Sequence, residues 1–224
     1  MKPRKIPFIL LMLFCSCISM DLNAQSVTDL DGTVYQTIKI GNQTWLQQNL
    51  NVSQFRNGDL IPEVKTDEAW EKAGLEKKPA WCYYESNADN GKIYGKLYNW
   101  YAVHDKRGLA PKGWHIPSDE EWKALATFLG GPDLAGKKLK EKGTAHWKSP
   151  NKDASNESGF TGLPGGLNYS FGSFVSLDNV GYWWTADENG EEIANLYSLS
   201  YEDNLLTDLF LNKGVGISIR CIKD

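Results

Sequence analysis

The sequence has few of the residues that metal and nucleophilic chemistry require. Only three histidines occur among 224 residues, and none lies in an HExxH motif or a spaced Cys/His array, so no zinc site is predicted. There is no G-x-S-x-G elbow to expose a nucleophilic serine, and no Walker or Rossmann glycine pattern to cradle a phosphate. Because no nucleophile–base pair can be assigned, the sequence favours a non-catalytic protein without a metal or cofactor.

Long apolar runs are also scarce, and the one that carries information stands at the N-terminus. Three basic residues precede a nine-residue apolar stretch at 6–14, which is too short to span a bilayer and is typical of a signal peptide. Cleavage after Ala24 predicts a signal peptide over residues 1–24. The alternative is a bacterial lipoprotein signal that ends before Cys17 and leaves a lipid on it. Both routes predict an exported protein, either secreted or periplasmic, or anchored at the outer-membrane surface.

A surplus of positive charge is absent as well. The chain has 24 Lys and Arg against 28 Asp and Glu, and removing residues 1–24 takes away three basic and one acidic residue, which leaves a formal charge of −6. A mildly acidic chain without a basic block is a poor partner for nucleic acid or an anionic membrane. We therefore expect no nucleic-acid partner, and membrane contact only through the lipid of a modified Cys17.

Cysteine is limited to four residues, of which Cys15 and Cys17 lie in the N-terminal segment. Cys82 and Cys221 remain in the folded part, and an exported chain meets an oxidising compartment. The pair therefore predicts a disulfide that joins an early segment to the last strand. The alternative is two buried free thiols.

The clearest local pattern lies between residues 110 and 131. Ser118 is a typical helix N-cap, and Glu121 three residues later completes a capping box. An apolar stripe follows at i, i+3, i+4 and i+7, formed by Trp122, Leu125, Ala126 and Leu129. These residues predict an amphipathic helix that packs on the core and ends at 130–131, and we interpret the preceding His115 as a structural residue.

The remaining patterns predict an α+β fold with short antiparallel sheets, two or three helices and long irregular loops. Further helices are predicted over 66–72 and 133–142, and over 94–104, where a strand is the alternative. Strands are predicted in a hairpin that begins at 27 and over 181–185, 194–201, 205–211 and 215–221, and the first strand is placed to pair with the last. Residues 148–166, rich in Asn, Ser, Gly and Pro, are predicted to form a long surface loop.

Trp183 and Trp184 are the candidate ligand-binding aromatics, because they could offer a stacking platform to sugars. Successive strand residues face opposite sides, so at most one ring can lie in a given surface. The alternative is that one ring belongs to the core and the long loop covers the other. Asp187, Glu188 and Asn156 complete the candidate set, on a surface formed by 151–166 and 181–192.

A calcium site in the acidic loop 187–192 is a further alternative, since Ca²⁺ needs about six to eight oxygen ligands from a shaped loop.

Several sequence blocks occur in the order found in a known bacterial family. They include PAWCYY, YGKLYNWYAV, GWHIPSDEEW, NESGFTGLPGG, GYWWTADE and SIRCIKD. With them, the chain resembles the Fibrobacter succinogenes major paralogous domain, FISUMP, which is common in exported and lipoprotein chains of Bacteroidota-type bacteria. The resemblance covers nearly everything after residue 24. It implies one domain over 25–224 with a C-type-lectin-like fold, termini paired near each other and a long irregular loop region.

The family implies no settled activity, and two sites known in proteins of related fold have no counterpart here. The Glu-Pro-Asn, Gln-Pro-Asp and Trp-Asn-Asp triplets of calcium-dependent lectins are absent. The copper-binding cysteine pair of formylglycine-generating enzymes also lacks a counterpart, because Cys82 and Cys221 fit a structural bridge. Neither the lectin sugar site nor the copper site can be carried over.

We therefore predict a non-catalytic exported or cell-surface module that binds an extracellular glycan or a surface protein through its loops. One alternative is an enzyme acting on extracellular polysaccharide, which needs two carboxylates facing one cleft about 5–10 Å apart. The other is a structural module of a surface assembly, which needs a large exposed apolar patch.

Overall fold

The computed structural model describes residues 25–224. The predicted signal and the lipidation candidate Cys17 lie outside the described residues. Within 25–224, none of the helices combines the length and the apolar character needed to cross a membrane. The described chain is α+β, with four short antiparallel sheets and five α-helices.

The largest sheet brings the two ends of the described chain together. Strands β1 (Ser26–Thr28), β2 (Val34–Ile40) and β3 (Gln43–Leu46) form consecutive antiparallel pairs. The closing strand β12 (Ile222–Lys223) lies between β3 and β6 (Trp114–His115). The last strand therefore pairs with the N-terminal hairpin as expected, but with its second arm, β3, rather than with the first strand.

Three smaller sheets complete the strand content. Strands β9 (Val180–Glu188), β10 (Ile193–Ser200) and β11 (Thr207–Asn212) form an antiparallel meander in the order β11-β10-β9, which confirms three of the predicted strands. Two further antiparallel pairs are present: one between two-residue strands that a helical segment separates, and one short hairpin. Their strands are β4 (Trp81–Cys82), β5 (Leu97–Tyr98), β7 (Gly165–Asn168) and β8 (Phe174–Leu177).

Two of the predicted helices begin at the expected caps. Helix α1 (Asp67–Leu75) starts where the Thr66 hydroxyl accepts a hydrogen bond from the Ala69 amide at 3.3 Å. Helix α4 (Asp119–Phe128) starts at Ser118 with both hydrogen bonds of the capping box formed. Helix α5 (Pro132–Leu139) follows it, close to the predicted 133–142. Helices α4 and α5 pack on the meander, so they support one side of the core.

The predicted helix over 94–104 is confirmed only as one turn, and the alternative of a strand holds for two residues before that turn. The described residues form five α-helices rather than two or three. The polar stretch before this region forms α2 (Ala88–Tyr94), which ends at Gly95 with a φ of 75°. Strand β5 follows, and then the single turn α3 (Trp100–Val103). Asparagine side chains decide these boundaries: Asn87 and Asn99 each accept a hydrogen bond from the backbone of the turn that follows, as N-caps do.

Residues 215–221 run through the centre of the domain and form isolated bridges rather than the predicted strand. Ser218 and Arg220 are as buried as the apolar residues with which they alternate. The Arg220 guanidinium donates to the carbonyls of Leu46, Gln47 and Phe160 at 3.0, 2.7 and 2.6 Å. It donates twice more to the Asn49 side-chain oxygen, at 2.9 and 3.2 Å. Burial lowers the pKa of Arg220 to about 9, so it stays a charged donor at neutral pH.

The predicted disulfide is not formed. Cys82 and Cys221 are both free and buried, and they belong to different hydrophobic clusters. Cys82 lies in β4, where its sulfur accepts a hydrogen bond from the Asn168 amide at 3.5 Å. Cys221 lies in the central segment beside Arg220. The segments that carry the two thiols pack in different clusters, so the structure has the alternative of two buried free thiols.

Candidate functional site

The structure contradicts a stacking role for the tryptophan pair. Trp183 and Trp184 are both fully buried, one in each of the two main hydrophobic clusters. Their indole N–H groups donate internally, to the Asn49 side chain at 2.8 Å and to the Tyr98 carbonyl at 3.0 Å. The alternation along β9 does place them on opposite faces, but both faces of that strand are covered.

The other three candidates do not converge on one site. Asp187 accepts a hydrogen bond from the Asp119 amide at 2.5 Å, so it serves the first turn of α4. Asn156 holds the turn that follows it through the amide and hydroxyl of Thr161. Glu188 forms an ion pair with Lys213 at 2.8 Å. Each candidate therefore has its own structural partner.

The acidic loop after β9 already surrounds a cation that belongs to the chain. The Lys213 ammonium donates to the Glu188 carboxylate at 2.8 Å and to the carbonyls of Gly190 and Glu191, both at 2.9 Å. Lys213 is only 4% exposed. Among residues 25–224 no group of three or more His, Cys, Asp or Glu side chains is arranged to hold a metal ion. The oxygens that could face calcium in this loop face an ammonium group instead.

His115 joins the end of the chain to α4. Its Nδ1 lies 2.8 Å from the Asp224 carboxylate and its Nε2 lies 2.9 Å from the Glu121 carboxylate. Burial acts to lower the pKa of His115, but the hydrogen bonds to Asp224 and Glu121 outweigh it and the net shift is upward. Both ring nitrogens are occupied, which agrees with a structural histidine rather than a catalytic one.

A cleft of about 390 Å³ opens elsewhere, between α1 and the tip of the β7–β8 hairpin. We call it the α1–hairpin cleft. Helix α1 contributes Glu71, Gly74 and Leu75 to its wall, and the hairpin tip contributes Ser170 and Phe171. The remaining lining residues are Lys77, Tyr101, Glu192 and Asn212. Five separate segments of the chain therefore meet around one opening.

Close backbone packing forms the floor of the cleft. The Trp70 indole N–H donates to the Gly214 carbonyl at 3.0 Å. A Cβ atom on Gly214 would stand 3.4 Å from the Gly74 Cα, so α1 lies directly against the turn after β11. Asn212 fixes that turn by accepting a hydrogen bond from the Gly214 amide at 2.8 Å.

The hairpin tip is held rigidly against the start of α1. Gly172, with a φ of 92°, leaves no room for a side chain, because a Cβ there would lie 2.4 Å from the Asp67 Cα. Tyr169 and Phe171 stack on each other with their ring centroids 5.1 Å apart and an interplanar angle of 11°. Phe171 is 56% exposed. The tip therefore presents a pre-arranged aromatic surface beside the cleft.

Charged and hydroxyl groups surround this aromatic surface. Lys77 forms ion pairs with Glu192 at 2.8 Å and with Glu191 at 3.5 Å. Burial and the charge of Glu192 raise the pKa of Tyr101, so its hydroxyl stays a neutral donor at physiological pH. Glu71 forms no ion pair within the described residues. The cleft thus combines aromatic faces with fixed donors and acceptors.

Sequence reasoning missed most of this site. Glu192 was part of the predicted surface, but Tyr101, Phe171 and Glu71 were not singled out. The stretch YSFGSF between β7 and β8 offered a signal, since aromatic residues that flank a glycine turn tend to be displayed at a loop tip.

Comparison with known proteins gives a family but no characterised relative. The model of the Fibrobacter succinogenes major domain matches residues 38–223. No curated protein and no solved structure matches the chain.

Proposed function

The chain belongs to the Fibrobacter succinogenes major domain family, and from that premise we propose that it is an exported, non-catalytic module with a C-type-lectin-like fold that binds an extracellular glycan in the α1–hairpin cleft. The observation that carries this proposal is the composition of the cleft. Exposed aromatic carbon and hydrogen-bonding groups stand within one opening of about 390 Å³. Ligand pockets commonly have this size and this mixture.

A sugar ring fits such a mixture because it has an apolar C–H face and hydroxyl groups around its edge. Phe171, braced by Tyr169, supplies an apolar face that loses little conformational entropy on binding. Lys77 and the Tyr101 hydroxyl are donors, and Glu71 is an acceptor. Together these residues can bind both kinds of sugar surface at once.

The fold and export parts of the proposal have separate support. The closing strand β12 lies between β3 and β6, so the two ends of the domain meet in one sheet, as a C-type-lectin-like fold requires. The basic and apolar N-terminal segment supports export, either as a secreted protein or through a lipid on Cys17.

A glycan array followed by calorimetry tests the proposal. The purified protein should bind one class of plant, algal or bacterial oligosaccharide, and Phe171→Ala should weaken that binding by about 10-fold, the equivalent of about 1.4 kcal/mol. Phe128→Ala is the matched control, because Phe128 is similarly exposed, at 63%, and does not line the cleft. The proposal fails if the array shows no binding, or if both variants keep wild-type affinity.

Glycoside hydrolysis is the second candidate function, because two carboxylates, Glu71 and Glu192, line the same cleft. A pair of carboxylates facing one bound sugar is what glycoside hydrolysis requires. Incubation of wild type, Glu71→Gln and Glu192→Gln with the array ligand would separate the two functions. Release of shorter sugars by wild type alone would establish an enzyme; an unchanged ligand would establish a binding module.

A further inference from the structure

Strand β11 forms one edge of the three-stranded meander and leaves that edge open. Its pairing with β10 is regular from Ile193 and Asn212 to Ser198 and Thr207. Within residues 25–224, the backbone of 207–211 forms no hydrogen bond beyond that pairing. An edge with unpaired N–H and C=O groups is a template for another strand.

Most of the usual protection of such an edge is missing from β11. The strand has no lysine, no proline and no bulge against β10, and Asp208 is its single charged residue. Leu209 and Phe210 are 41% and 60% exposed at its middle. These features favour pairing with another strand over remaining single.

We propose that the β11 edge is a homodimer surface, on which a second copy of this chain adds its own β11 in antiparallel orientation to give a six-stranded sheet. This proposal does not rest on glycan binding, although Asn212 belongs both to the β11 edge and to the wall of the α1–hairpin cleft. Two-fold symmetry makes the same patch serve both copies. A two-fold axis normal to the sheet keeps each side chain on its own face, so opposed residues must lie an even number of positions apart.

Only a few registers satisfy that condition, and their side-chain pairs differ in quality. Centring the axis on Asp208 would oppose two like charges, which is unfavourable. Centring the axis on Leu209 would place the Asp208 carboxylate opposite the Phe210 ring of the second copy, which offers it no hydrogen-bond donor.

Centring the axis on Phe210 gives favourable pairs throughout. The two Phe210 rings then meet across the axis, and Leu209 faces Leu211 of the second copy. Asp208 faces Asn212 of the second copy, and among the described residues neither the Asp208 carboxylate nor the Asn212 amide N–H group has a hydrogen-bond partner. The structure therefore favours the register in which residue 210 opposes itself.

Sedimentation velocity over a hundredfold range of protein concentration tests the surface. Wild type should show a reversible dimer. Phe210→Lys should be monomeric, because two ammonium groups would meet at the axis, and Asn212→Asp should weaken the dimer at least several-fold by opposing Asp208. Phe128→Lys, at a similarly exposed phenylalanine outside the edge, should dimerise like wild type.

Charge complementation tests the register itself. Phe210→Glu should also be monomeric alone, but an equimolar mixture with Phe210→Lys should recover a one-to-one dimer. A wild-type chain that stays monomeric throughout, or a Phe128→Lys variant that dissociates as readily as Phe210→Lys, would overturn the surface. Failure of the mixture to recover a dimer would overturn the register.

Discussion

Replacing Arg220 by methionine removes the guanidinium group whose hydrogen bonds connect the central segment to the largest sheet and to the 148–166 loop. Methionine has a similar length and can fill the space beside Phe160, where the guanidinium carbon stands 4.1 Å from the ring centroid. The variant therefore deletes the five hydrogen bonds with little change in volume. It leaves three buried carbonyl oxygens without this donor, while the Asn49 side-chain oxygen loses the guanidinium but keeps the Trp183 indole N–H.

The size of the effect follows from those acceptors. A buried group that loses its partner costs about 1–3 kcal/mol, and removing the buried charge itself recovers part of that loss. We expect a net destabilisation of about 3–5 kcal/mol, which is a large share of the 5–15 kcal/mol that is roughly typical of a domain. With an m-value of about 2 kcal/mol per molar urea, the unfolding midpoint falls by about 2 M.

Urea unfolding followed by tryptophan fluorescence measures this loss. Arg107→Met is the matched control, because Arg107 also stacks on a phenylalanine, at 4.0 Å from the Phe55 ring, but its charge is paired at the surface. It should change the midpoint far less. A midpoint shift for Arg220→Met no larger than that of the control would refute the role of the buried hydrogen bonds.

Three further predictions follow from the structure. The folded-state pKa of His115 is raised, so the stability that protonated His115 contributes is complete below its unfolded pKa and is lost as pH rises through its folded pKa. The difference in unfolding free energy between wild type and His115→Gln should therefore be larger at about pH 5.5 than at about pH 8. An equal difference at the two pH values would contradict this role of His115. Gly172→Ala should destabilise the protein by more than Gly32→Ala, for which roughly 1 kcal/mol of backbone strain is expected. Gly32 has a similar φ of 83° but open space around it, whereas a Cβ on Gly172 would meet Asp67. Equal shifts in melting temperature for the two variants would count against the close contact between Gly172 and Asp67. Burial raises the pKa of Cys82 and of Cys221 to about 12, so a thiol reagent should label neither until urea unfolds the protein, and a disulfide-linked peptide in mass spectrometry would contradict the free thiols.

Local signals in the sequence were enough to place several elements. Ser118 with Glu121, and Thr66 before 67–75, are caps whose hydrogen bonds depend only on neighbouring residues. The meander over 180–212 follows from apolar runs separated by polar turns. The helix at 88–94 was missed because its cap, Asn87, lies in a stretch too polar to show an apolar stripe.

The tertiary environment could not be read from these local signals. Alternation along β9 separates Trp183 from Trp184, but it does not say that both faces of the strand are covered. The same limit applies to Arg220, because alternation along 215–221 does not say that the polar residues of the segment are buried too. The disulfide prediction rested on compartment and cysteine number, and neither reports whether two strands lie close enough to join their sulfurs.

The candidate site was missed for a related reason. The α1–hairpin cleft gathers residues from α1, α3, the hairpin tip and the turns around β10 and β11, and no single stretch contains enough of them to form a motif. Phe171 and Tyr101 are 70 positions apart in the sequence. Their convergence depends on tertiary packing, such as that of Gly214 beside Gly74 and Ser170, which only the folded chain shows.

Aromatic NMR chemical-shift mapping during titration with the strongest array ligand tests the glycan-binding proposal most directly. Binding in the α1–hairpin cleft should shift the ring signals of Tyr101, Tyr169 and Phe171 in proportion to site occupancy and leave the indole signals of Trp183 and Trp184 nearly unchanged. Shifts confined to the tryptophans or to residues 151–158, with the cleft signals unmoved, would contradict the proposed site.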